Sequence, residues 1–450
     1  MFSKVLIANR GEIAARIIRT CRKMGIQTVA VYSEADQDSA YVSMADESYL
    51  IGKPRVSESY LNADKILDVA VKCGAQAVHP GYGLLSEHAG FARKVEEEGM
   101  TFIGPPSKVI AKMGDKVEAR AEMKSAGVPI IPGTDGSVDS VEDAKRIADE
   151  FGYPVMLKAA AGGGGIGMQA VHNEQELEKA FAGNSKRAET FFGDGKMFLE
   201  KLIDKPRHIE IQVLADEHGN AIHLFERECS IQRRHQKVLE EAPSPSLSEA
   251  TREKMYRSAL KAVESLGYTN AGTLEFLVDQ EENHYFLEMN TRLQVEHPVT
   301  EEITGVDIVE QQLRIAAKKP LSFGQEDVQR NGHAIEVRIY AEDSNTFYPS
   351  PGKLTKLRLP EGDGIRHETA ICEGSEVTPF YDPMIAKLIV HGGDRQEAVE
   401  RLTQAVHAYE IEGIKSNLMM LKRIVTHENF IIGDTKTDFI EVHYLPTLTK

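Results

Sequence analysis

Two stretches carry residue types that could do chemistry together. In EMNTRLQVEHP, Glu288, Asn290, Arg292, Gln294 and Glu296 recur at every second position. Side chains of an extended chain alternate between faces, so these groups share one side for as far as the extension holds. TLEFLV and HYFLEMN read as a hairpin turning across Asp279 to Asn283, which puts Glu275 on the partner strand. Glu275, Glu288 and Asn290 are then an oxygen-only cluster suited to Mg2+, which takes one or two carboxylates together with substrate phosphates. A solvated polar strand face would show the same letters. The neighbouring Arg292 and a glycine loop upstream favour the site.

That loop lies in PVMLKAAAGGGGIGMQAV, with Gly162, Gly163, Gly164 and Gly165 in a row and Gly167 after them. Gly162, Gly164 and Gly167 match G-x-G-x-x-G, but a dinucleotide fingerprint opens a helix directly. Here GMQAV reads as a strand, and the helical pattern starts near Asn173. A strand, glycine loop, strand hairpin can close over a nucleotide and offer N–H groups to phosphates, with Lys158 adding a point charge. A plain surface hairpin is the alternative. A Walker A loop is excluded because GDGKM has Met197 where Ser or Thr is required, and a kinase because no HRD or DFG triplet occurs. The loop is expected to be open without nucleotide and folded over phosphates with it.

A third run, ERECSIQRRHQKVLEEAP, groups Arg227, Arg233, Arg234, His235 and Lys237. By itself it could be a solvated or RNA-binding edge; beside a nucleotide site it reads as an anion pocket. The whole chain has 53 basic against 69 acidic residues, a formal charge of −16, which argues against a general nucleic-acid binder. Arg338, in EVRIY, is a further candidate cation.

These groups need elements to position them. With roughly 100–200 residues per domain, 450 residues suggest two to four domains or subdomains. KVLIA, the loop Asn9-Arg10-Gly11, a helical pattern through Ile13, Ile17 and Ile18, and TVAVY read as strand, helix, strand. The alternation continues through a helix from Ala63 to Cys73 and the strands AQAVHP and TFIGPP, implying a parallel doubly wound sheet. A helical stretch begins near Asp115, and AGVPIIPGTDG marks a turn-rich boundary before a small α/β unit holding the glycine loop. From Arg207 the strands read as antiparallel, HIEIQVLAD and AIHLFERE flanking EHGN. Helices follow from about Ser248 to Leu266 and near Gln396 to Tyr409.

Composition, 41% apolar and 27% charged, is that of a globular protein, and no run nears the roughly 18 apolar residues of a membrane span. Arg10 and Glu12 interrupt the start as a signal peptide, so a cytoplasmic location is expected. Cys21, Cys73, Cys229 and Cys372 lie far apart with no CxxC, which favours reduced, packing cysteines.

AAAGGGGIGM, ERECSIQRRHQKVLEEAP and EMNTRLQVEHPVTE, with KVLIANRGEIAARIIR, HPGYGLLSE and GHAIEVRIYAED, make the chain resemble biotin carboxylase, an ATP-grasp ligase, over nearly its whole length. The resemblance implies a mixed α/β and α+β ATP-grasp fold. Its parts would be a preATP-grasp domain at 1–114, an ATP-grasp region at 115–330 with a mobile lid at about 131–203, and a C-terminal domain at 331–450. It implies ATP with Lys116, Lys158, His208 and His235 near phosphates or ribose, and Glu200, Lys201 and Ile203 at the adenine. Mg2+ or Mn2+, as two ions, would bind Glu275, Glu288 and Asn290. Lys237, Arg292, Gln294 and Val295 would hold bicarbonate, Glu296 would be the general base, and Arg338 would face biotin. The implied partners are a biotin carboxyl carrier protein, carboxyltransferase subunits and a second copy of the chain. The implied activity is the first half-reaction of a carboxylase such as acetyl-CoA carboxylase, in fatty acid synthesis. No AMKM biotinylation motif occurs, so the biotin is expected on another polypeptide, or the sequence is the front of a longer one. Two other readings stand beside this: another ATP-grasp ligase, such as a carbamoyl-phosphate synthetase half, and a catalytically silent nucleotide-binding regulator.

Overall fold

The computed structural model describes residues 1–134, 136–138, 140–160 and 167–448. Gly162, Gly163, Gly164 and Gly165, which the sequence marks as a phosphate cover, lie outside the described residues.

The chain opens as strand β1 (Lys4–Ile7), helix α1 (Gly11–Lys23) and strand β2 (Gln27–Ser33), joined by β3 (Glu47–Gly52), β4 (Ala77–His79) and β5 (Thr101–Phe102). All five pair in parallel in the order β3-β2-β1-β4-β5. Ile13, Ile17 and Ile18 of α1 are buried, the 3–4 residue spacing giving the helix one apolar stripe. The strand order reverses between β1 and β4, where a doubly wound sheet opens its crevice. There the loops after both strands are tied together: Asn9 Nδ2 donates to the Pro80 carbonyl at 2.7 Å and the Tyr82 carbonyl at 2.8 Å. Gly81, at φ +63°, permits this approach, since a Cβ would fall 2.9 Å from Asn9 Nδ2.

The helical stretch expected from Asp115 is two helices, Ser107–Gly114 and Lys116–Ser125. Asp115 separates them because its carboxylate accepts from the N–H groups of Val117 and Glu118, both at 2.9 Å, and so caps the second.

A three-stranded antiparallel sheet, β7-β6-β8, follows, built from β6 (Val155–Ala159), β7 (Gln169–Val171) and β8 (Met197–Lys201). The helices Val141–Phe151 and Glu174–Phe192 cover it, and Val155, Leu157, Val171, Leu177 and Leu199 form a core of its own. β6 and β7 are the two paired strands of the hairpin read from the sequence, with Asn173 capping the helix after them.

The rest is organised by one eight-stranded antiparallel sheet in the order β13-β12-β9-β10-β11-β14-β19-β17. Its strands are β9 (Arg207–Ala215), β10 (Ala221–Arg233), β11 (Gln236–Ala242), β12 (Asn270–Val278), β13 (His284–Asn290), β14 (His333–Tyr340), β17 (Ile365–Thr369) and β19 (Met384–Gly392). Short pairs β15 (Gly352–Lys353) with β18 (Glu376–Val377), and β16 (Lys356–Arg358) with β20 (Glu410–Glu412), lie outside it. β11 and β14 pair directly, Leu239 opposite Val337, so the sheet runs unbroken past position 330. No described helix is long and apolar enough to cross a membrane. Cys21, Cys73 and Cys229 are buried, Cys372 is exposed, and all are free thiols.

Candidate active site

One row across the large sheet sets up the charges. Glu288 lies opposite Glu275, Glu275 opposite Glu210, and Glu210 opposite Arg227, one residue each from β13, β12, β9 and β10. Directly opposed residues face the same side, so three carboxylates and a guanidinium are forced together. The compensating donors come from neighbouring strands and the segment after β13.

Lys237, on β11, is the centre of this cluster. Its ammonium donates to Glu210 at 2.5 Å, Glu275 at 2.8 Å and Glu296 at 2.5 Å. Burial works against its charge, but these carboxylates hold its pKa well above the ordinary lysine value. Glu275 Oε1 also accepts from Asn290 Nδ2 at 2.8 Å and Gln294 Nε2 at 2.7 Å, and His208 Nε2 lies 2.9 Å from its other oxygen. Against the burial penalty, Lys237 and His208 keep the Glu275 carboxyl well below the usual range. Glu288 goes the other way: desolvation in the cleft and then repulsion from Glu275 raise it, with Lys116 opposing.

The alternation expected from Glu288 to Glu296 lasts only to Asn290, where β13 ends. Beyond it the chain turns into the helix His297–Thr304, and Glu296 is that helix's N-cap residue. The turn still gathers the same side chains. Arg292 donates to Asn290 Oδ1 at 2.7 Å and, through Nε, to Glu87 at 2.9 Å. Glu296, almost fully buried, meets Lys237 with one oxygen and Arg338 Nη2 with the other at 3.1 Å. Burial opposes its charge, yet Lys237, Arg338 and Arg227 hold Glu296 well below the usual carboxylate range. Arg338 also binds Glu240, through Nε at 2.7 Å. Burial pushes Glu240 up to about 7, the Arg338 charge offsetting part of it.

The nucleotide candidates gather on the small sheet and beside it. Lys158, on β6, and Arg120 both pair with Glu200 of β8. Desolvation and then Lys158 repulsion lower the Lys116 pKa, with Glu288 and Glu200 acting against them. Lys201 turns its ammonium to the Gly152 carbonyl at 2.7 Å, and Ile203 follows it after β8. His235 stands apart from the buried cluster, exposed on the β10–β11 turn, where it and Arg234 take positive φ of 64° and 51°.

The basic run therefore is not one anion pocket. Arg227 is fully buried, donating to Glu210, to Gln212 at 2.8 Å, Thr300 at 2.9 Å, Thr273 at 3.2 Å and Gln294 at 2.6 Å. Arg233 pairs with Glu342 and stacks over Phe347. Bulges in the β10–β11 pairing and the turn at Arg234 and His235 divide the run: Arg227 and Lys237 enter the charged cluster, and Arg233 leaves it for Glu342. Glu87, Glu210 and Glu240 are site residues that the sequence reading missed. Glu210 had a signal, since His208, Glu210 and Gln212 alternate along one strand.

Lys237 and Arg338 contact the ionised Glu296 carboxylate and Arg292 acts on it electrostatically, three cations around one base, an arrangement suited to a small anion with a removable proton. Residues 1–110 match the family model "Biotin carboxylase, N-terminal domain", 115–323 "Carbamoyl-phosphate synthase L chain, ATP binding domain", and 336–442 "Biotin carboxylase C-terminal domain". The middle model alone would leave a carbamoyl-phosphate synthase open; the flanking two do not. Biotin carboxylase 2 of Bacillus subtilis is 61% identical over 443 residues, which are 98% of this chain and 100% of that protein. The chain belongs to the biotin carboxylase family. As a biotin carboxylase it is an ATP-dependent ligase that carboxylates biotin with ATP and bicarbonate. A pyruvate carboxylase subunit of Methanothermobacter thermautotrophicus is 53% identical over 98% of this biotin carboxylase and 90% of its own length. The biotin carboxylase domain dimer of Hydrogenobacter thermophilus 2-oxoglutarate carboxylase, solved with MgADP, ADP and bicarbonate, is 51% identical with a TM-score of 0.96. That likeness covers 100% of this chain and 99% of the other.

Proposed function

We propose that this biotin carboxylase acts on biotin carried by a separate carrier protein, through carboxyphosphate, with Glu296 as the base. The carrying observation is the Glu296 carboxylate held between Lys237 and Arg338. Bicarbonate sits against Lys237, Arg292, Gln294 and the Val295 backbone, in line with the γ-phosphate of ATP. Glu296 takes the bicarbonate proton as a bicarbonate oxygen attacks phosphorus and ADP leaves. A carboxylate held far below neutrality is a weak base, but anions entering the site draw Lys237 and Arg338 toward themselves and return basicity to Glu296.

Lys116, Lys158, His208 and His235 serve the phosphates or ribose, and Glu200, Lys201 and Ile203 the adenine. Glu275, Glu288 and Asn290 suit Mg2+ or Mn2+, as one or two ions: the donors are oxygens, and the repulsion that raises Glu288 is what a divalent cation relieves. When bound, the metal offsets phosphate charge during transfer. The unit formed by β6, β7 and β8 acts as the lid that keeps water from carboxyphosphate. After CO2 and phosphate separate, phosphate takes the proton of the biotin ureido nitrogen and that nitrogen attacks CO2. As that proton leaves and before the nitrogen attacks, Arg338 stabilises the enolate-like ureido oxygen, a type of contribution worth about 3–4 kcal/mol in oxyanion sites.

The division at 1–114, 115–330 and 331–450 and a homodimer belong to the same reading; the dimer of the Hydrogenobacter relative supports the latter. An acyl-CoA as final acceptor, as in acetyl-CoA carboxylase, belongs to the same reading; relatives named for pyruvate, 2-oxoglutarate and propionyl-CoA carboxylases are 53%, 52% and 50% identical, so the transferase partner decides the acceptor. The test is ADP release with bicarbonate, with and without free biotin or biotinylated carrier, followed by reconstitution with acetyl-CoA, pyruvate or 2-oxoglutarate transferase partners. Stimulation by biotin and malonyl-CoA formation are expected; no biotin stimulation would overturn the reading.

A further inference from the structure

Lys387 takes no part in the reaction above, yet it reaches the turn that carries it. Its side chain is 0% exposed, and its ammonium donates to the Val295 carbonyl at 2.7 Å. Glu12 Oε1, from the first turn of α1, lies 3.4 Å away, and the Tyr82 ring centroid 5.7 Å away. An ammonium withdrawn from water is costly to place, and a methionine would fill the same space. What the amine adds is a donor at the Val295 carbonyl.

The peptides on both sides of Val295 are anchored in this way. His297 donates from Nδ1 to the Gln294 carbonyl at 2.8 Å, and Lys387 donates to the next carbonyl. In a trans peptide the C=O and N–H point in opposite directions. Fixing the two carbonyls therefore fixes the N–H groups of Val295 and Glu296, and with them the direction in which Gln294 and Glu296 leave the chain. The anchors are rigid: His297 is fully buried in the first turn of its helix, and Lys387 stands opposite Arg338 in the sheet.

The surroundings of Lys387 suit a donor aimed at a neutral carbonyl rather than a closed ion pair. Both carboxyl oxygens of Glu12, and both of Glu336 on the adjacent strand, are buried without a hydrogen-bond partner. Burial raises both acids, Glu12 to about 7, with Lys387 pulling against the shift in each case. Glu12 pairs with the ammonium at 3.4 Å and helps to hold it in place, while the ammonium's shortest contact is the 2.7 Å bond to the Val295 carbonyl.

We propose that Lys387 is a positioning residue for the anion pocket, holding the Val295 peptide so that residues 294–296 present an N–H group and the Glu296 carboxylate to bicarbonate. This rests on the bicarbonate reading of the pocket given above. In bicarbonate-dependent ADP release, Lys387→Met should raise the bicarbonate KM by about 10-fold or more and leave the ATP KM within about 2-fold. A merely structural role would lower the melting temperature and move both KM values or kcat alone. An unchanged bicarbonate KM, or equal changes in both, overturns the proposal. Should Lys387→Met fail to fold, Glu12→Gln decides: removing the acid beside the ammonium should raise the bicarbonate KM by about 3-fold with the ATP KM kept, and no change overturns the proposal. Wild-type enzyme run in parallel separates the two failures. ADP release that needs no bicarbonate would sink the pocket reading itself, and the positioning role with it.

Discussion

Glu240 and Glu296 hold the same guanidinium from two sides, Arg338 Nη2 lying 2.6 Å from Glu240 Oε1 and 3.1 Å from Glu296 Oε2. The two acids differ in state: burial leads in both, but Glu240 rises to about 7 while Lys237 and Arg338 keep Glu296 ionised. The ionised one is the base. Glu296→Gln should therefore lower bicarbonate-dependent ADP release by about 100- to 10,000-fold, with ATP binding unchanged by calorimetry. Near-normal turnover would remove Glu296 from that role.

Glu288 is raised by desolvation and by the Glu275 charge opposite it, so it gains most from a cation. Glu288→Gln should raise the Mg2+ concentration for half-maximal ADP release by about 10-fold or more. A Mg2+ titration at saturating ATP reads it, and an unshifted midpoint would argue that the metal lies elsewhere.

Arg227 ties Glu210, Gln212, Thr273, Gln294 and Thr300 together with no exposed surface. Arg227→Met leaves Glu210 buried with less compensation and should cost about 3–5 kcal/mol in urea denaturation. A loss under about 1 kcal/mol would mean the network re-forms without it.

Glu12 is pushed by burial from 4.5 up to about 7. Between those values the folded protein holds a proton that the unfolded chain has released, so stability falls as pH rises through the window and levels off above it. Glu12→Gln removes that titration. The stability of the variant relative to wild type should increase between about pH 5 and pH 8 in urea denaturation; a flat difference would place the Glu12 carboxyl near its ordinary value.

If β6, β7 and β8 form a lid, amide exchange in 167–201 should slow when Mg2+ and a non-hydrolysable ATP analogue bind, more than in β9 to β12. Equal protection in both states would count against closure.

Much of this was legible in the residues because period-2 alternation survives in strands. Glu288 with Asn290 and Glu336 with Arg338 lie on strands as the spacing requires. The hairpin turn at Asp279 to Asn283 joins β12 and β13 as read, but a bulge completes the register: the turn pairs Phe276 with Phe286, and one extra residue on β13, Leu287, brings Glu288 opposite Glu275. The failures have equally local causes. Lys237 lies opposite Gln232 and Leu239 opposite Ile231, so β11 carries one extra residue there. The bulge resets the alternation, which is why Glu240 cannot be assigned to the face of Lys237 by counting. The basic run misled because composition says nothing of burial: Arg227 is interior, where five donors find acceptors drawn from four other segments. Glu87 and Lys387 reach the site from 205 and 92 residues away along the chain, a distance no local pattern spans.

The continuity of the large sheet bears on how the chain could be divided. A cut near position 330 would free β14 from β11, leaving each fragment with a bare row of backbone donors and acceptors. The two pieces would be poor independent modules and good partners for each other. Co-expressed fragments 1–330 and 331–450 should recombine through that edge, whereas each produced alone should aggregate. Two lengths of polypeptide that sequence comparison treats as separate are, in assembly, halves of a single folding unit.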